Sequence, residues 1–302
     1  MNSSQLYIGR FAPSPTGPLH FGSLLAAVAS YLDARANQGR WLVRMDDLDQ
    51  PRCVKGADSE ILKTLEAYGL YWDGEVMYQS QRQAAYEAAL DQLQQDKLVY
   101  ACGCTRREIA DIAHAGIEGP VYPGTCRPGL PAGKTARSIR LCTPDEIIVL
   151  QDRIQGEVKQ HVQQQVGDFI IRRADGLFAY QLAVVVDDAE QHITDIVRGS
   201  DLLASTPRQI SLQRLLGIKT PRYAHLPVAV NSVGNKLSKQ THAHPIDNRQ
   251  ARDTLLQVMR FLNQPVSNDM PQMSLHEFWA EAVARWQADK IPATLQLPSP
   301  ME

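Results

Sequence analysis

No apolar run in this sequence reaches the roughly 20 residues that a membrane-spanning helix needs, so nothing marks an integral membrane protein. The opening MNSSQLYIGR has no basic stretch ahead of an apolar core, which argues against a secretion signal and makes the cytoplasm the expected location. Neither sign of charge is in excess. With 31 Lys and Arg against 33 Asp and Glu, the formal net charge is −2, so any hold on nucleic acid must come from a local groove and not from a bulk positive field. Cysteine is scarce, and its five copies are an odd number that reads as thiols or metal ligands, not as a disulfide framework. Internal repeats and low-complexity tracts are missing too. No G-x-G-x-x-G follows the first strand-like segment, which argues against a dinucleotide-binding domain of the NAD type.

What is present is an ordinary globular composition, 44% hydrophobic and 21% charged over 302 residues, enough for two or three domains. LYIGRFA reads as a strand, residues 19–37 carry apolar positions at helical spacing until Gly39 stops them, and RWLVRMDD reads as a second strand. GADSEILKTLEAYGL follows as an amphipathic helix with an Asp or Ser cap and a closing glycine. Strand alternating with helix predicts a parallel sheet. Residues 80–97 form another helix. From 99 to about 180 the pattern breaks into short Gly- and Pro-rich segments such as GPVYPGTCRPGLPAGK, the mark of an insertion, within which DFIIRRADGLFAYQLA predicts a hairpin turned by Asp175-Gly176. The α/β rhythm returns in TDIVRGSDLL, TPRQISLQRLLG and YAHLPVAV. RQARDTLLQVMRFLN and LHEFWAEAVARWQAD are then the two strongest helices of a mostly helical remainder, and the last dozen residues are expected to fray.

Three constellations carry chemistry. The first is FAPSPTGPLHFGS, residues 11–23, where a rigid turn hands a strand over to a helix. Unpaired N–H groups and the helix dipole make such a junction an anion site, His20 can donate to a phosphate, and Gly22 lets a base or phosphate approach the backbone. The second is NKLSKQ, which places Lys236 and Lys239 around Ser238 on a loop, two mobile cations able to neutralise charge building on a phosphate. The third is Cys102-x-Cys104 with Tyr122-x-x-x-Cys126. Three thiolates supply most of a tetrahedral structural zinc site, with the fourth ligand left open and His114 an ordinary choice for it.

Taken together, PLHFGS and KLSKQ resemble the HIGH and KMSKS signatures of class I aminoacyl-tRNA synthetases, and RFAPSPTGPLHFGS narrows the resemblance to the glutamyl and glutaminyl branch. It runs from Tyr7 to about Gln240, because LVRMDDLDQPR, FAYQLAVVVDD, DIVRGSDLL and TPRQISLQRLLG also look like that branch in the expected order. It implies an α/β, Rossmann-like parallel-sheet catalytic domain with a zinc-containing insertion and a C-terminal helical subdomain. The expected division is 1–98 and 181–240 for the two catalytic halves, 99–180 for the insertion, and 241–302 for the helical part. The implied reaction joins glutamate to ATP as an adenylate and then passes the acyl group to a hydroxyl. ATP would meet His20, Gly22 and Lys239, with Lys236 beside them and Mg²⁺ on the nucleotide. Arg10 and Arg198 suit the two carboxylates of glutamate, Tyr180 adds a hydroxyl, and Phe11, Ala12, Pro13 and Ser14 line the same amino-acid site. Asp46 stands where that site usually has a glutamate to take the ammonium, a departure of one methylene; either the backbone moves closer, a water bridges, or Asp47 takes a larger part. For the zinc, the resemblance points to Tyr122 as the fourth ligand.

Only about 60 residues follow the lysine loop, too few for the anticodon-reading region usual in this branch. That shortening, the cysteine pattern and HFGS resemble the glutamyl-queuosine tRNA(Asp) synthetases, which attach glutamate to queuosine in the anticodon loop of tRNA(Asp). The implied partners are glutamate, ATP and that stem-loop, with no membrane and a monomer expected; an extruded base suits a pocket that takes splayed nucleotides. Two other classes stay open: a shortened synthetase with another acceptor, and a non-catalytic paralogue that binds RNA or amino acid, which the Asp46 change alone favours.

Overall fold

The computed structural model describes residues 6–231, 233–236 and 244–300. The chain opens with β1 (Ile8–Phe11), α1 (Phe21–Ala36), β2 (Arg40–Met45), α2 (Ala57–Ala67), β3 (Met77–Tyr78) and α3 (Gln83–Gln95). Next come β4 (Val99–Cys102), α4 (Arg106–Ile112), β5 (His114–Gly116), β6 (Gly119–Val121), β7 (Ser138–Leu141), β8 (Ile147–Asp152), β9 (Gly156–His161), α5 (Val162–Gln165) and β10 (Ile170–Arg172). The α/β alternation resumes with α6 (Tyr180–Glu190), β11 (Asp195–Gly199), α7 (Thr206–Leu215), β12 (Arg222–Leu226) and β13 (Val228–Val230). It is followed by α8 (Ala251–Phe261), α9 (Leu275–Ala284) and β14 (Gln296–Pro298).

β1, β2 and β3 pair in parallel in that order, and β11 pairs in parallel with β12. The two ladders meet where Thr194 N–H donates to the Ile8 carbonyl at 2.9 Å, setting β11 beside β1 on the side away from β2. The sheet therefore changes direction of growth between β1 and β11, and in open α/β sheets a crevice outside the carboxyl ends of such neighbours is where ligands bind. α1 is apolar on most sides because both sides are covered: Leu24, Val28 and Leu32 are fully buried between the sheet and the C-terminal helices. Tyr31 links the two layers, meeting Trp41 of β2 at 5.2 Å and Trp279 of α9 at 5.0 Å between ring centroids. Between β3 and α6 the insertion folds as a β10-β7-β4 sheet with two hairpins, β5-β6 and β8-β9. The β8-β9 hairpin shares a core with Leu42, Ile196 and Tyr223, which anchors it to the catalytic sheet.

Three local expectations need correction. α2 begins at Gly56, with φ of 82° and no side-chain cap, instead of at Asp58 or Ser59: the chain enters from a left-handed turn that glycine adopts without a Cβ clash, and Asp58 sits inside the first turn, where a carboxylate suits the dipole. The Asp175-Gly176 turn forms, but the second arm of the hairpin is a single bridge, Arg172 to Phe178, because Tyr180 already starts α6, whose apolar run Leu182–Val185 is buried as a helix. The described part of the tail does not fray: Gln296–Pro298 lies parallel to Val228–Val230, so the strand β13 supplies the backbone partners that the sequence does not announce.

Candidate active site

The carboxyl ends of β1, β11 and β12 and the start of α1 enclose a cleft of about 520 Å³. Arg10, Phe11, Ala12, Pro13 and Ser14 line it from the β1–α1 connection, His20 and Gly22 from the helix start, Asp46 from the end of β2, Tyr180 from the start of α6, and Arg198 from β11. Lys236 closes the far side, and Lys239 lies outside the described residues. A cavity of about 560 Å³ lies at the opposite, amino ends of β11 and β12; Asp188 lines it and stands between it and Arg10.

His20 caps α1. Its Nδ1 accepts from Ser23 N–H at 3.3 Å, so a neutral ring carries its proton on Nε2, 3.1 Å from Ser23 Oγ. Lys236 is paired with Asp201, Nζ to Oδ2 at 2.6 Å, both half-exposed. Phe11 stacks on Trp41 in the core, with 6.3 Å between ring centroids, and so offers the cleft its backbone.

Arg10 and Asp46, which line the cleft, are linked behind it through Asp188 and Arg44 into a chain of four charged groups. Arg10 Nε pairs with Asp188 Oδ1 at 3.1 Å, Arg44 Nη1 reaches the same oxygen at 2.7 Å, and Arg44 Nε pairs with Asp46 Oδ1 at 2.8 Å. Two guanidiniums and two carboxylates cancel formally, and all four side chains are at most 7% exposed. Burial raises the pKa of Asp188, but Arg10 and Arg44 outweigh it and hold the group below the ordinary carboxylate range. For Asp46 burial wins over Arg44 and Arg10, and its pKa is raised. Burial likewise raises that of Tyr180. The Asp46 N–H donates to the Pro13 carbonyl at 2.9 Å, which ties the end of β2 to the lining segment after β1. Asp47 is turned elsewhere: its carboxylate accepts from Ser80 N–H at 2.8 Å and Ser80 Oγ at 2.6 Å, so it does not stand in for Asp46.

Arg198 differs from its neighbours. It is 5% exposed, and its partners are neutral: His225 Nε2 at 3.1 Å, and Thr206 Oγ1 and Gln209 Oε1 at 2.7 Å each. Its Nη1 has no hydrogen-bond partner among the described residues. A buried guanidinium with no anion beside it is incomplete, and a carboxylate completes it.

Sequence reasoning did not assign Arg44, Asp188, Asp201 or His225. Arg44 carried a usable signal, since it lies two residues before Asp46 on a strand, where side chains at i and i+2 share a face. Asp188 carried none, being 178 residues from its partner Arg10.

In the insertion, Cys102, Cys104 and Cys126 bring their sulfurs within 4.8 Å of one another. Cys104 Sγ is 3.6 Å from Cys126 Sγ, and Tyr122 Oη is 3.4 Å from the sulfurs of Cys102 and Cys104. A tetrahedral zinc about 2.3 Å from sulfur and about 2.0 Å from oxygen demands edges of about 3.8 Å between sulfurs and about 3.5 Å from sulfur to oxygen, so the donor set fits. The Arg140 guanidinium lies 3.9 Å over the Tyr122 ring and donates to Cys102 Sγ at 3.3 Å. Burial pushes the Cys102 thiol up, but hydrogen bonds from Tyr122, the Cys104 backbone and Arg140 bring it down to about 7. His114 is exposed, bonds the Gln164 carbonyl at 3.1 Å and is no part of the cluster.

Known proteins resemble this chain over most of its length. The family model described as tRNA synthetases class I (E and Q), catalytic domain, matches residues 8–283. The chain is 58% identical over 294 residues to a glutamyl-Q tRNA(Asp) synthetase of Dechloromonas aromatica, covering 97% of each. It is 53% identical over 292 residues to one from Pseudomonas aeruginosa PAO1, again 97% of each. Among solved structures, a glutamate-tRNA synthetase of Elizabethkingia anophelis matches with a TM-score of 0.80 and 25% identity, over 96% of this chain and 67% of that one. A glutamate tRNA ligase of Elizabethkingia meningosepticum, solved in complex with its amino acid, has the same score and identity over 66% of its length. The chain thus spans about two thirds of those two structures.

Proposed function

On the premise that the chain belongs to the class I tRNA synthetases of the glutamate and glutamine type, as an α/β ligase of that family, we propose that it activates glutamate with ATP and transfers it to queuosine in the anticodon loop of tRNA(Asp). The observation that carries the reading is Arg198, a buried guanidinium whose hydrogen-bond partners among the described residues are all neutral, in a cleft that also contains the N-terminus of α1. Arg198 and Arg10 receive the carboxylates of glutamate, Tyr180 contributes its hydroxyl, and Asp46 takes the ammonium. The lining from Phe11 to Ser14 shapes the space between them.

The reaction brings two anions together, so the work of the site is positioning and charge neutralisation. The glutamate α-carboxylate attacks the α-phosphorus of ATP and pyrophosphate leaves; a magnesium ion on the nucleotide would neutralise part of its charge. His20 Nε2, the N–H groups at the start of α1 beside Gly22, and Lys236 and Lys239 stabilise the charge that develops on the phosphates. A hydroxyl of the cis-diol of queuosine then attacks the acyl carbon and AMP departs. No protein group becomes a covalent nucleophile.

Cys102, Cys104, Tyr122 and Cys126 would hold one structural zinc, which fixes the fold of the insertion near the RNA and takes no part in the chemistry. We assign binding of the stem-loop to the insertion, taken as residues 99–180, and to the helical part, taken as residues 241–302. Among the described residues no helix is long and apolar enough to cross a membrane, and we place the enzyme with its tRNA in the cytoplasm.

Exchange of labelled pyrophosphate into ATP tests the first half-reaction. Glutamate should support exchange without any RNA-borne acceptor being consumed, and glutamine and aspartate should support it at least about tenfold less well, because two guanidiniums suit a dicarboxylate of one length. Equal exchange with glutamine overturns the assignment of Arg198.

A further inference from the structure

His225 lies wholly buried on β12 between a carboxylate and a guanidinium. Its Nδ1 is 2.6 Å from Asp152 Oδ2, and its Nε2 is 3.1 Å from Arg198 Nε and 3.0 Å from Thr206 Oγ1, a hydroxyl within 2.8 Å of the Leu202 carbonyl. Asp152 sits at the end of β8, in the inserted region, and its other oxygen accepts from the backbone N–H groups of Ile154, Gln155 and His225 at 3.0, 2.9 and 3.1 Å. An ionised carboxylate only accepts, and a guanidinium only donates. The Thr206 hydroxyl can donate or accept and decides nothing, but the Arg198 Nε–H is aimed at Nε2, so the lone pair lies there and the proton lies on Nδ1, toward Asp152. Burial holds the His225 pKa below its ordinary value, Arg198 adds to that, and the bond from Asp152 does not overcome them, so the ring is neutral.

The contrast with Arg10 in the cleft and Arg44 behind it gives this pair a purpose. Arg10 and Arg44 contact carboxylates directly and are neutralised by them. Arg198 is oriented as firmly, but through a neutral ring, and the anion that orders the ring stands one imidazole away. Aim and charge are thereby separated. We propose that Asp152 and His225 are positioning residues for the synthetase reaction: Asp152 fixes the tautomer of His225, and His225 aims Arg198 at a carboxylate of the amino-acid substrate while leaving its charge uncancelled. This rests on reading the cleft as the glutamate site. It also gives the inserted region a part in amino-acid binding, because the β8-β9 hairpin brings Asp152 to β12.

Asp152→Asn is the informative change. Its amide oxygen keeps the three backbone N–H bonds, but its NH₂ faces His225 Nδ1 and drives the proton to Nε2, where it opposes the Arg198 Nε–H. In pyrophosphate exchange the KM for glutamate should rise about tenfold or more, while the KM for ATP and kcat stay within about twofold and the melting temperature stays near that of the parent. His225→Asn reaches Asp152 but not Arg198, and should match it. His225→Gln places an amide oxygen near the Nε2 position and should recover most of the loss. Equal losses in His225→Asn and His225→Gln, or a glutamate KM unchanged in Asp152→Asn, overturn the proposal. The tautomer is read without substrate from ¹⁵N imidazole spectra: the parent must show Nδ1 protonated and Asp152→Asn must show Nε2 protonated, and a parent ring protonated on Nε2 refutes the relay. A parent that shows Nδ1–H yet no glutamate-dependent exchange sinks the functional reading, and with it the role of Arg198 as a receptor for the substrate carboxylate, while the relay geometry stands.

Discussion

Replacing Asp188 with asparagine removes a charge and almost no volume. The carboxylate accepts from Arg44 Nη1 at 2.7 Å and from Arg10 Nε at 3.1 Å, with side-chain exposures of 5%, 0% and 4% for Asp188, Arg44 and Arg10. In the variant Asp46 is the one carboxylate still bonded to either arginine; the amide oxygen keeps the two bonds made to Oδ1, and the new NH₂ at the Oδ2 position turns a donor toward Arg10 Nη2, 3.5 Å from Oδ2 in the parent. Breaking a buried ion pair from one side costs about 3–5 kcal/mol. Set against a total stability of about 5–15 kcal/mol, the fold persists but is weakened. With a urea slope of about 3 kcal/mol per molar, the midpoint falls by about 1–1.7 M. The pH dependence has a fixed sign: the folded pKa of Asp188 is lowered, so its contribution is complete above the unfolded value of about 3.9 and is lost as pH falls through the folded value. The gap between parent and variant is therefore full at pH 7 and narrows only below about pH 4. Urea unfolding at both pH values measures it. Asp49→Asn, whose partners Arg52 and Arg173 are 70% and 38% exposed, serves as control and should move the midpoint by less than about 0.3 M. A midpoint for Asp188→Asn at pH 7 equal to that of the parent refutes the energetic role assigned to this chain of charged groups.

The raised pKa of Asp46 gives glutamate binding a pH limb: the ionised form receives the ammonium, so the KM for glutamate should fall as pH rises through that raised value, and Asp46→Asn should flatten the limb. Persistence of the limb in the variant would assign it to another group. Lys236→Ala should lower kcat for pyrophosphate exchange about 100-fold with a smaller change in the KM for glutamate, as expected of a group that meets charge in the transition state; an unchanged kcat removes it from the mechanism. Cys104→Ser should lower bound zinc measured by elemental analysis, whereas His114→Ala should not. Full retention by Cys104→Ser contradicts the cysteine cluster as the metal site.

The alternation of strand and helix was legible because its signals are local: apolar spacing in LLAAVASYL and the breaker at Gly39 announce α1 and its end within one window. The segment 10–14 and His20 could be placed together for the same reason, since they adjoin a single strand-to-helix junction. What stayed hidden is set by long-range partners. Arg10 is not a free cation but half of a pair with Asp188, and no feature of VVVDD says which of its two aspartates faces β1. Asp47 looks as available as Asp46 until Ser80 is found on it. The hairpin expected after Ile170 fails because Tyr180 onward satisfies two patterns at once, and burial against α3 and α7 favours the helix. β14 is invisible in sequence because its three residues are ordered by the edge of β13 and not by their own pattern.

The acceptor is what sets this enzyme apart from a synthetase that charges the 3′ end. Labelled glutamate and ATP should be supplied to the enzyme with tRNA(Asp) carrying queuosine and with the same tRNA lacking it, and each product cut with ribonuclease to separate the anticodon loop from the 3′ end. Label is expected only on the queuosine-bearing tRNA and only in the anticodon-loop fragment. Label on the 3′ adenosine, or adenylate formed with no label on either RNA, contradicts the proposed reaction.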